Sequence, residues 1–321
     1  VRKSRSKMRL VTYEPTPSRD RLGVLISDKV VDLALARDAC EKDTRTDIPI
    51  LPSDMMSFLN EGDTAIRAAG TVAEWCQRQL KKIGKVSMTS STLLSHDLKK
   101  IQLRAPVPRP SKILCLALNY QAHAAEGGNP DLPEKPYVFI KPGIHPVVGP
   151  GDKVFKVPES DNFIFEGELA VVIGKCCHHV PADKAYDVIT GYTIVNDMSA
   201  RDLGKTIRPG MVDWFRVKAF DSSLPMGPCL TTKDEIEDPH NLRLVVRVNG
   251  QTTQDAFTSE MFHKIPQVIE FITHYITLDP GDIIATGTPG GSKDALKVGD
   301  KVEVEIEKIG ALASVIAERP E

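Results

Sequence analysis

Two apolar, β-branched runs, residues 163–174 and 189–196, constrain the fold of this chain more than any other feature. The first run ends at a glycine, and β-branched residues bounded by turn-forming residues are typical of strands. The second run ends at Asn196, so that Asp197 follows it directly. The sequence therefore predicts two strands, with acidic side chains in the first and at the end of the second.

Three carboxylates lie in or beside these predicted strands. Glu166 and Glu168 are two positions apart, and successive strand side chains point to opposite faces, so both are predicted on one face. Carboxylates held this close repel unless a cation lies between them or one keeps a proton. Together with Asp197, and with no imidazole nearby, they favour Mg²⁺ or Mn²⁺ over zinc. Taken alone, a Glu-x-Glu pair is more common on a solvated strand face.

These runs belong to an ordered set of motifs. The set comprises residues 117–126, 163–174, 196–202, 218–228 and 284–290. In this order the motifs resemble the fumarylacetoacetate hydrolase superfamily, and the resemblance runs from about Ile113 to the C-terminus. It implies an α+β, β-rich fold with a mixed-sheet roll or sandwich, a divalent cation and a homodimer.

A candidate catalytic pair lies upstream of the carboxylates. If residues 121–126 form a helical turn, His123 and Glu126 face the same way. A carboxylate beside an imidazole raises its basicity, as a general base requires. Such a pair alone is more often a surface feature, but the resemblance implies that it closes over the metal and activates water. The glycines and prolines that follow, to residue 136, are typical of a mobile lid.

Five further residues are candidates for binding or for charge compensation. Lys218 is predicted to offset negative charge on the substrate or on an oxyanion. Thr288 and the backbone around Gly287 are predicted to bind the substrate carboxylate. Tyr120 and Arg201 are the remaining candidates for substrate contacts, and an Arg beside three carboxylates also offsets their repulsion.

Two other observations bear on specificity. Lys141, at the end of a predicted strand, either contacts an anionic substrate or is an ordinary strand-end charge. Gly204 stands where members of the superfamily commonly have glutamine, which removes a candidate hydrogen bond to the substrate. The segment that follows, residues 205–217, is also unusual for the superfamily, so the substrate is less constrained than the metal chemistry.

Composition excludes several classes of partner. The net charge of -2 provides no bulk field for nucleic acid or an anionic membrane. No apolar run approaches the roughly 18 residues typical of a spanning helix. The six cysteines are scattered, which indicates a reducing compartment. We therefore expect a small-molecule partner, a 2-oxo acid, and a cytoplasmic location, or a mitochondrial one if the chain is eukaryotic.

The chain divides into four predicted segments. They are a basic, disordered leader (1–9), a small α+β domain (10–103), a Pro-rich linker (104–111) and the catalytic domain (112–321). Helical periodicity predicts helices over residues 64–82, capped by Asp63, and over residues 264–277. The adjacent residues 176–179, Cys-Cys-His-His, have the wrong spacing for a zinc site.

The assembled residues predict metal-dependent hydrolysis of a C–C bond in a 2,4-dioxo acid such as an acylpyruvate. Water activated by His123 with Glu126 would attack the distal carbonyl, and the cation would stabilise the enolate that leaves. The same enolate chemistry serves an oxaloacetate-type decarboxylase or a 2-hydroxyhepta-diene-dioate-type isomerase, which is the alternative. A protein that binds the ligand without turnover is the third hypothesis.

Overall fold

The structure, a computed structural model, describes residues 7–16, 18–83, 94–126, 131–205, 211–291 and 294–320. Sheets dominate this part of the chain and helices are few, which confirms the predicted α+β, β-rich class. Most of the predicted leader and the centre of the predicted lid, residues 127–130, lie outside the described residues. None of the described helices combines the length and apolar character needed to cross a bilayer.

The helices are α1 (Leu33–Thr44), α2 (Met55–Asn60), α3 (Gly62–Ile83), α4 (Gln121–Glu126), α5 (Trp214–Lys218) and α6 (Ile265–Tyr275). The strands of the first half are β1 (Arg9–Thr16), β2 (Arg19–Ile26), β3 (Lys29–Asp32), β4 (Ser95–Asp97), β5 (Gln102–Arg104), β6 (Ile113–Ala117), β7 (Tyr137–Lys141), β8 (Val147–Val148) and β9 (Lys153–Phe155). Those of the second half are β10 (Phe163–Ile164), β11 (Gly167–Ile173), β12 (Ile189–Asn196), β13 (Ser199–Ala200), β14 (Leu224–Thr232), β15 (Arg243–Val248), β16 (Gln251–Phe257), β17 (Ile283–Ala285), β18 (Lys301–Ile306) and β19 (Gly310–Ala317).

A 12-stranded sheet is the largest element, with the order β4-β3-β2-β1-β14-β12-β11-β17-β6-β7 and with β5 and β8 paired to β1 and β14. Its centre is the antiparallel pair of β11 and β12. Every residue of β11 is buried, which is why its sequence is continuously apolar apart from Glu168. The predicted strands therefore form the middle of the fold.

A five-stranded sheet, in the order β16-β15-β18-β19-β9, packs against this centre. Leu169 and Val171 of β11 share one hydrophobic core with Val246 and Val304 of the second sheet. The sheets approach so closely at Gly167 that a Cβ there would lie 2.7 Å from Val246 Cγ2. This face-to-face packing confirms the predicted sandwich.

The N-terminal part joins the same large sheet. Strand β1 pairs antiparallel with β14 through Arg9↔Thr231 and Leu10↔Leu230. Leu10 also lies in one hydrophobic cluster with Ala170 of β11. The division of the chain at residues 104–111 stays a prediction, and the structure adds that the parts on either side share a sheet and a core.

Local structure differs from the sequence-based expectation at residues 163–174. One strand was predicted, but β10 pairs with β13 whereas β11 pairs with β12 and β17, so Glu166 lies in a break between two strands. The Glu166 amide donates to Asn196 Oδ1 at 2.9 Å, and its carbonyl accepts from the Asp197 amide at 2.8 Å. Hydrogen bonding to the end of β12 therefore replaces the regular ladder.

The helices show two smaller differences. Helix α3 begins at Gly62, so Asp63 lies in its first turn rather than at the N-cap. Helix α1 was not predicted from the sequence; the Asp32 carboxylate caps it by accepting from the Leu35 amide at 2.9 Å.

Candidate metal centre and substrate pocket

The three predicted metal ligands meet at one end of the β11–β12 pair. Glu168 is the second residue of β11, Asp197 directly follows β12, and Glu166 lies in the strand break beside it. Because Gly167 pairs with Asn196, the antiparallel register brings the three carboxylates to the same end of these two strands. One oxygen from each lies within 4.8 Å of the others, and all three side chains are buried. In the described residues no other group of three acids, histidines or cysteines has this geometry.

Two buried lysines neutralise part of this charge. Lys218 Nζ lies 2.7 Å from Glu166 Oε2 and 2.6 Å from Asp197 Oδ2. Lys141 Nζ lies 2.5 Å from Asp197 Oδ1. Lys141 is therefore a buried ion-pair partner of Asp197 rather than an ordinary strand-end charge, and its contact with an anionic substrate stays a prediction. Its fully buried position at the end of β7 was not evident from the local pattern.

Glu168 is the one of the three carboxylates that has no lysine partner among the described residues. Its burial and the charges of Asp197 and Glu166 raise its pKa well above the ordinary value. Burial also disfavours ionised Glu166, but Lys218 overcomes this and lowers the pKa of Glu166. Glu166 and Asp197 thus have cationic partners in Lys218, Lys141 and, at 3.8 Å from Glu166, Arg201. Glu168 forms an ion pair with none of the described residues, so it needs a proton or a cation beside it. An all-oxygen donor set of this kind fits a hard divalent cation such as Mg²⁺ or Mn²⁺.

Neighbouring groups hold the carboxylates in place. Ser199 Oγ donates to Glu166 Oε1 at 2.9 Å, and the Gly287 amide donates to Glu168 Oε2 at 2.7 Å. Gly287 has a φ of +91°, and a Cβ there would lie 2.9 Å from Asn119 Cβ. A glycine is thus required for the backbone to reach Glu168.

His123 and Glu126 lie on α4, the helical turn predicted from the sequence. His123 Nδ1 is 3.9 Å from Glu126 Oε2, which is too far for a hydrogen bond. Glu126 Oε1 instead accepts from the Gly291 amide at 2.7 Å. His123 Nδ1 is buried and has no hydrogen-bond partner among the described residues, and burial lowers the pKa of the ring. A neutral imidazole with a free nitrogen is able to accept a proton.

The loop of residues 286–291 connects this pair to the metal ligands, since it binds Glu168 through Gly287 and Glu126 through Gly291. Gln254, buried on β16, anchors the loop by donating to Pro289 O at 2.5 Å and Gly290 O at 3.1 Å. Thr288 Oγ1 donates to Gly167 O at 3.0 Å. Gln254 was missed from the sequence, because nothing in an ordinary strand pattern marks it.

A cavity of about 570 Å³ opens onto these groups. The predicted site residues that line it are His123, Glu126, Glu166, Arg201, Lys218 and Thr288. Arg201 Nη2 lies 3.8 Å from Glu166 Oε1, at the metal-site end of the cavity. Tyr120 is buried near Glu168. Burial of the Tyr120 hydroxyl raises its pKa, and the negative charge of Glu168 raises it further. That hydroxyl has no hydrogen-bond partner among the described residues.

This fold and this site define a class of protein, an enzyme with a carboxylate site for a divalent metal. Residues 112–317 match the sequence model described as fumarylacetoacetate (FAA) hydrolase C-terminal. The chain belongs to the fumarylacetoacetate hydrolase family, as the sequence motifs predicted.

Two named relatives align with most of the chain. Oxaloacetate tautomerase YisK of Bacillus subtilis is 38% identical over 305 residues, which cover 92% of this chain and 95% of the relative. The mitochondrial oxaloacetate tautomerase Fahd2a of Rattus norvegicus is 38% identical over 280 residues, covering 85% and 83%.

A solved structure shares the fold over the same extent. Maleylpyruvate hydrolase from Sphingobium sp. SYK-6, in complex with manganese(II) ion and pyruvate, is 31% identical with a TM-score of 0.71 and covers 98% of this chain and 100% of its own. These relatives confirm that the chain is an enzyme of the superfamily. They include both a hydrolase and tautomerases, so the predicted hydrolysis is not singled out.

Proposed function

We propose that the protein catalyses keto–enol tautomerisation of a 2-oxo acid, the type of reaction for which its oxaloacetate tautomerase relatives are named, with Mg²⁺ or Mn²⁺ as cofactor. In this reaction a proton leaves C3 and a proton is added to the 2-oxo oxygen, so substrate and product are isomers. The observation that carries the proposal is the neutral ring of His123, whose Nδ1 is unpaired within the part of the chain that the structure describes and which lines the same cavity as Glu166. Tautomerisation needs only such a proton acceptor beside a polarised carbonyl.

Each site residue has a role in this scheme. Glu166, Glu168 and Asp197 would hold the metal, which supplies positive charge beside the 2-oxo group and favours loss of the neighbouring proton. His123 takes the C3 proton. Glu126, fixed by the Gly291 amide, lies close enough to stabilise the resulting imidazolium.

The lysines and the cavity-lining donors complete the site. Lys218 and Lys141 orient Glu166 and Asp197 through ion pairs, and Lys218 lowers the pKa of Glu166. Arg201 and Thr288, which line the same cavity, bind the substrate carboxylate. Gly287 acts through its amide on Glu168. Tyr120, buried behind the cavity lining with a hydroxyl that no described residue pairs, stays a candidate for substrate contact.

Hydrolysis of an acylpyruvate is the second candidate. The maleylpyruvate hydrolase that shares this fold binds manganese and pyruvate in its structure, and the same imidazole would activate water. Decarboxylation of oxaloacetate and isomerisation of a heptadiene-dioate remain alternatives on the same site. A homodimer and a cytoplasmic or mitochondrial location also stay proposals.

One assay separates these reactions. Oxaloacetate in its enol form is mixed with enzyme in Mg²⁺, Mn²⁺ or EDTA, and the keto form is trapped with malate dehydrogenase and NADH. Pyruvate release from acetylpyruvate and CO₂ release from oxaloacetate are followed in parallel. We expect metal-dependent formation of keto-oxaloacetate without CO₂ and without pyruvate. Pyruvate from acetylpyruvate with no acceleration of tautomerisation would replace the proposal by the hydrolase.

A further inference from the structure

One side of the cavity is formed by three aromatic residues, Tyr137, Phe139 and Trp214, which we call the aromatic wall. The rings of Phe139 and Trp214 stack with centroids 4.5 Å apart and planes at 7°. Tyr137 meets Trp214 edge-on at 5.6 Å and accepts a hydrogen bond from its indole nitrogen at 3.2 Å. The two contacts fix the Trp214 ring against strand β7.

The aromatic wall begins at the metal site. Lys218 Nζ, which binds Glu166 and Asp197, lies 5.4 Å from the centroid of the Phe139 ring. From there the stack leads outward through Trp214 to Tyr137. A substrate whose 2-oxo acid group lies at the carboxylates would therefore extend its C3 substituent along these rings.

Further apolar side chains from helix α5 and from the residues just before it line the cavity. Met211, Val212 and Val217 line it, and the first two are 43% and 45% exposed. Exposed apolar side chains grouped around a cavity are typical of a ligand-binding surface. Gly204 adds no polar group here, and a Cβ at this position would lie 2.9 Å from Val217 Cγ2.

The size of the cavity and the charges of its lining residues both favour a substrate with a large, uncharged substituent on C3. A cavity of about 570 Å³ falls in the range, roughly 300–1,000 Å³, that holds ligands larger than a four-carbon acid. Among the described residues that line it, the permanent cations are Arg201 and Lys218, and both lie beside Glu166. The second carboxylate of a diacid extended away from the metal site would thus meet aromatic rings.

We infer that the site takes 2-oxo acids with an aromatic ring on C3, the arylpyruvate class, in preference to oxaloacetate. This inference rests on the proposed tautomerisation, and the reaction is the same: the benzylic C3 proton leaves and the 2-oxo oxygen gains one. The substrate ring stacks on the aromatic wall, and Trp214 is the residue that determines specificity.

The test compares kcat/KM for tautomerisation of phenylpyruvate and oxaloacetate in Mn²⁺. The wild type is expected to favour phenylpyruvate, and Trp214→Ala to lower the phenylpyruvate-to-oxaloacetate ratio by about 3- to 10-fold, the effect of losing one aromatic pair. Trp214→Phe, which keeps a ring, should retain most of the ratio. The matched control is Phe215→Ala, the next residue on α5, which is 74% exposed and does not line the cavity.

The outcomes separate this inference from the proposed function. Tautomerisation of oxaloacetate without preference for phenylpyruvate, or an unchanged ratio in Trp214→Ala, overturns the inference alone. If neither substrate is tautomerised, the proposed function is wrong, and the binding affinity for phenylpyruvate then tests the inference. Calorimetric binding of phenylpyruvate that weakens about 3- to 10-fold in Trp214→Ala then supports the aromatic wall as its site, and equal binding overturns it.

Discussion

The metal-site end of the cavity and its aromatic end are built in different ways. Glu168 and Asp197 belong to the centre of the large sheet and are each 1% exposed. The aromatic end instead relies on edge strand β7, the five-residue helix α5 and partly exposed residues before it. We therefore expect the sheet to determine the chemistry and the short peripheral segments to determine which substrate fits. Substitutions at the metal-site end should abolish activity, whereas substitutions at the aromatic end should change the relative kcat/KM values of different substrates.

The largest effect is expected from Glu168→Gln. The substitution keeps the shape and the contact with the Gly287 amide but removes a charge the cation requires. Metal-dependent turnover should be lost, with Mn²⁺ affinity lowered by more than about 100-fold in calorimetry. The matched control is Glu303→Gln, which exchanges a carboxylate at Arg247 in the second sheet and should bind Mn²⁺ normally. Normal Mn²⁺ affinity in Glu168→Gln would remove this residue from the ligand set.

His123→Gln tests the base without touching the metal ligands. We expect kcat to fall by about 10²- to 10⁴-fold, the usual contribution of general base catalysis, while Mn²⁺ affinity stays unchanged. Glu126→Gln should cost less, because an amide oxygen still accepts from the Gly291 amide. Steady-state kinetics and calorimetry on the same preparations give both values. A His123→Gln enzyme with wild-type kcat would mean that another group moves the proton.

Ser199→Ala should have an intermediate effect. The hydroxyl donates to Glu166 Oε1, so its loss frees one metal ligand to reorient while leaving every carboxylate in place. Loss of such a supporting contact weakens metal binding by about 10- to 100-fold, and added Mn²⁺ should restore turnover. Failure of excess Mn²⁺ to restore turnover would contradict a purely supporting role.

The smallest effect is a pH dependence of stability in the metal-free protein. Folding raises the pKa of Glu168, so the folded state binds this proton more tightly than the unfolded state does. Stability from this group is therefore present below the ordinary value of 4.5 and lost as pH rises towards the raised pKa. The Tm of the metal-free protein should therefore fall as the pH rises through this interval. Adding Mn²⁺ or substituting Glu168→Gln should make the Tm less dependent on pH. A Tm that rises with pH equally in wild type and Glu168→Gln would argue against this charge balance.

The sequence predicted the convergence of the three carboxylates better than the structure of the periphery. Glu166, Glu168 and Asp197 were identifiable because residue type and spacing carry carboxylate chemistry directly. The strand assumption behind their spacing was wrong at Glu166, yet the β11–β12 register still brings the three together. Helices α3 and α6 followed from their apolar periodicity.

Non-local contacts account for most of what the sequence did not predict. Lys141 forms its ion pair with Asp197, which is 56 positions away in the sequence. Gln254, which lies in the five-stranded sheet, donates hydrogen bonds to the loop at residues 288–290. Strand β1 joins β14 through a register that no local pattern encodes. Periodicity reports the neighbours of a residue along the chain, whereas these contacts depend on how strands are ordered in a sheet.

The most direct test of the carboxylate site is a crystal structure of the protein with Mn²⁺, using anomalous scattering to locate the ion. We expect one strong peak between Glu166, Glu168 and Asp197, with carboxylate oxygens at about 2.0–2.6 Å as for hard divalent cations. Lys218 and Lys141 should keep their contacts with Asp197. A peak elsewhere, with protons or lysines alone balancing the three carboxylates, would contradict the assignment of a metal centre.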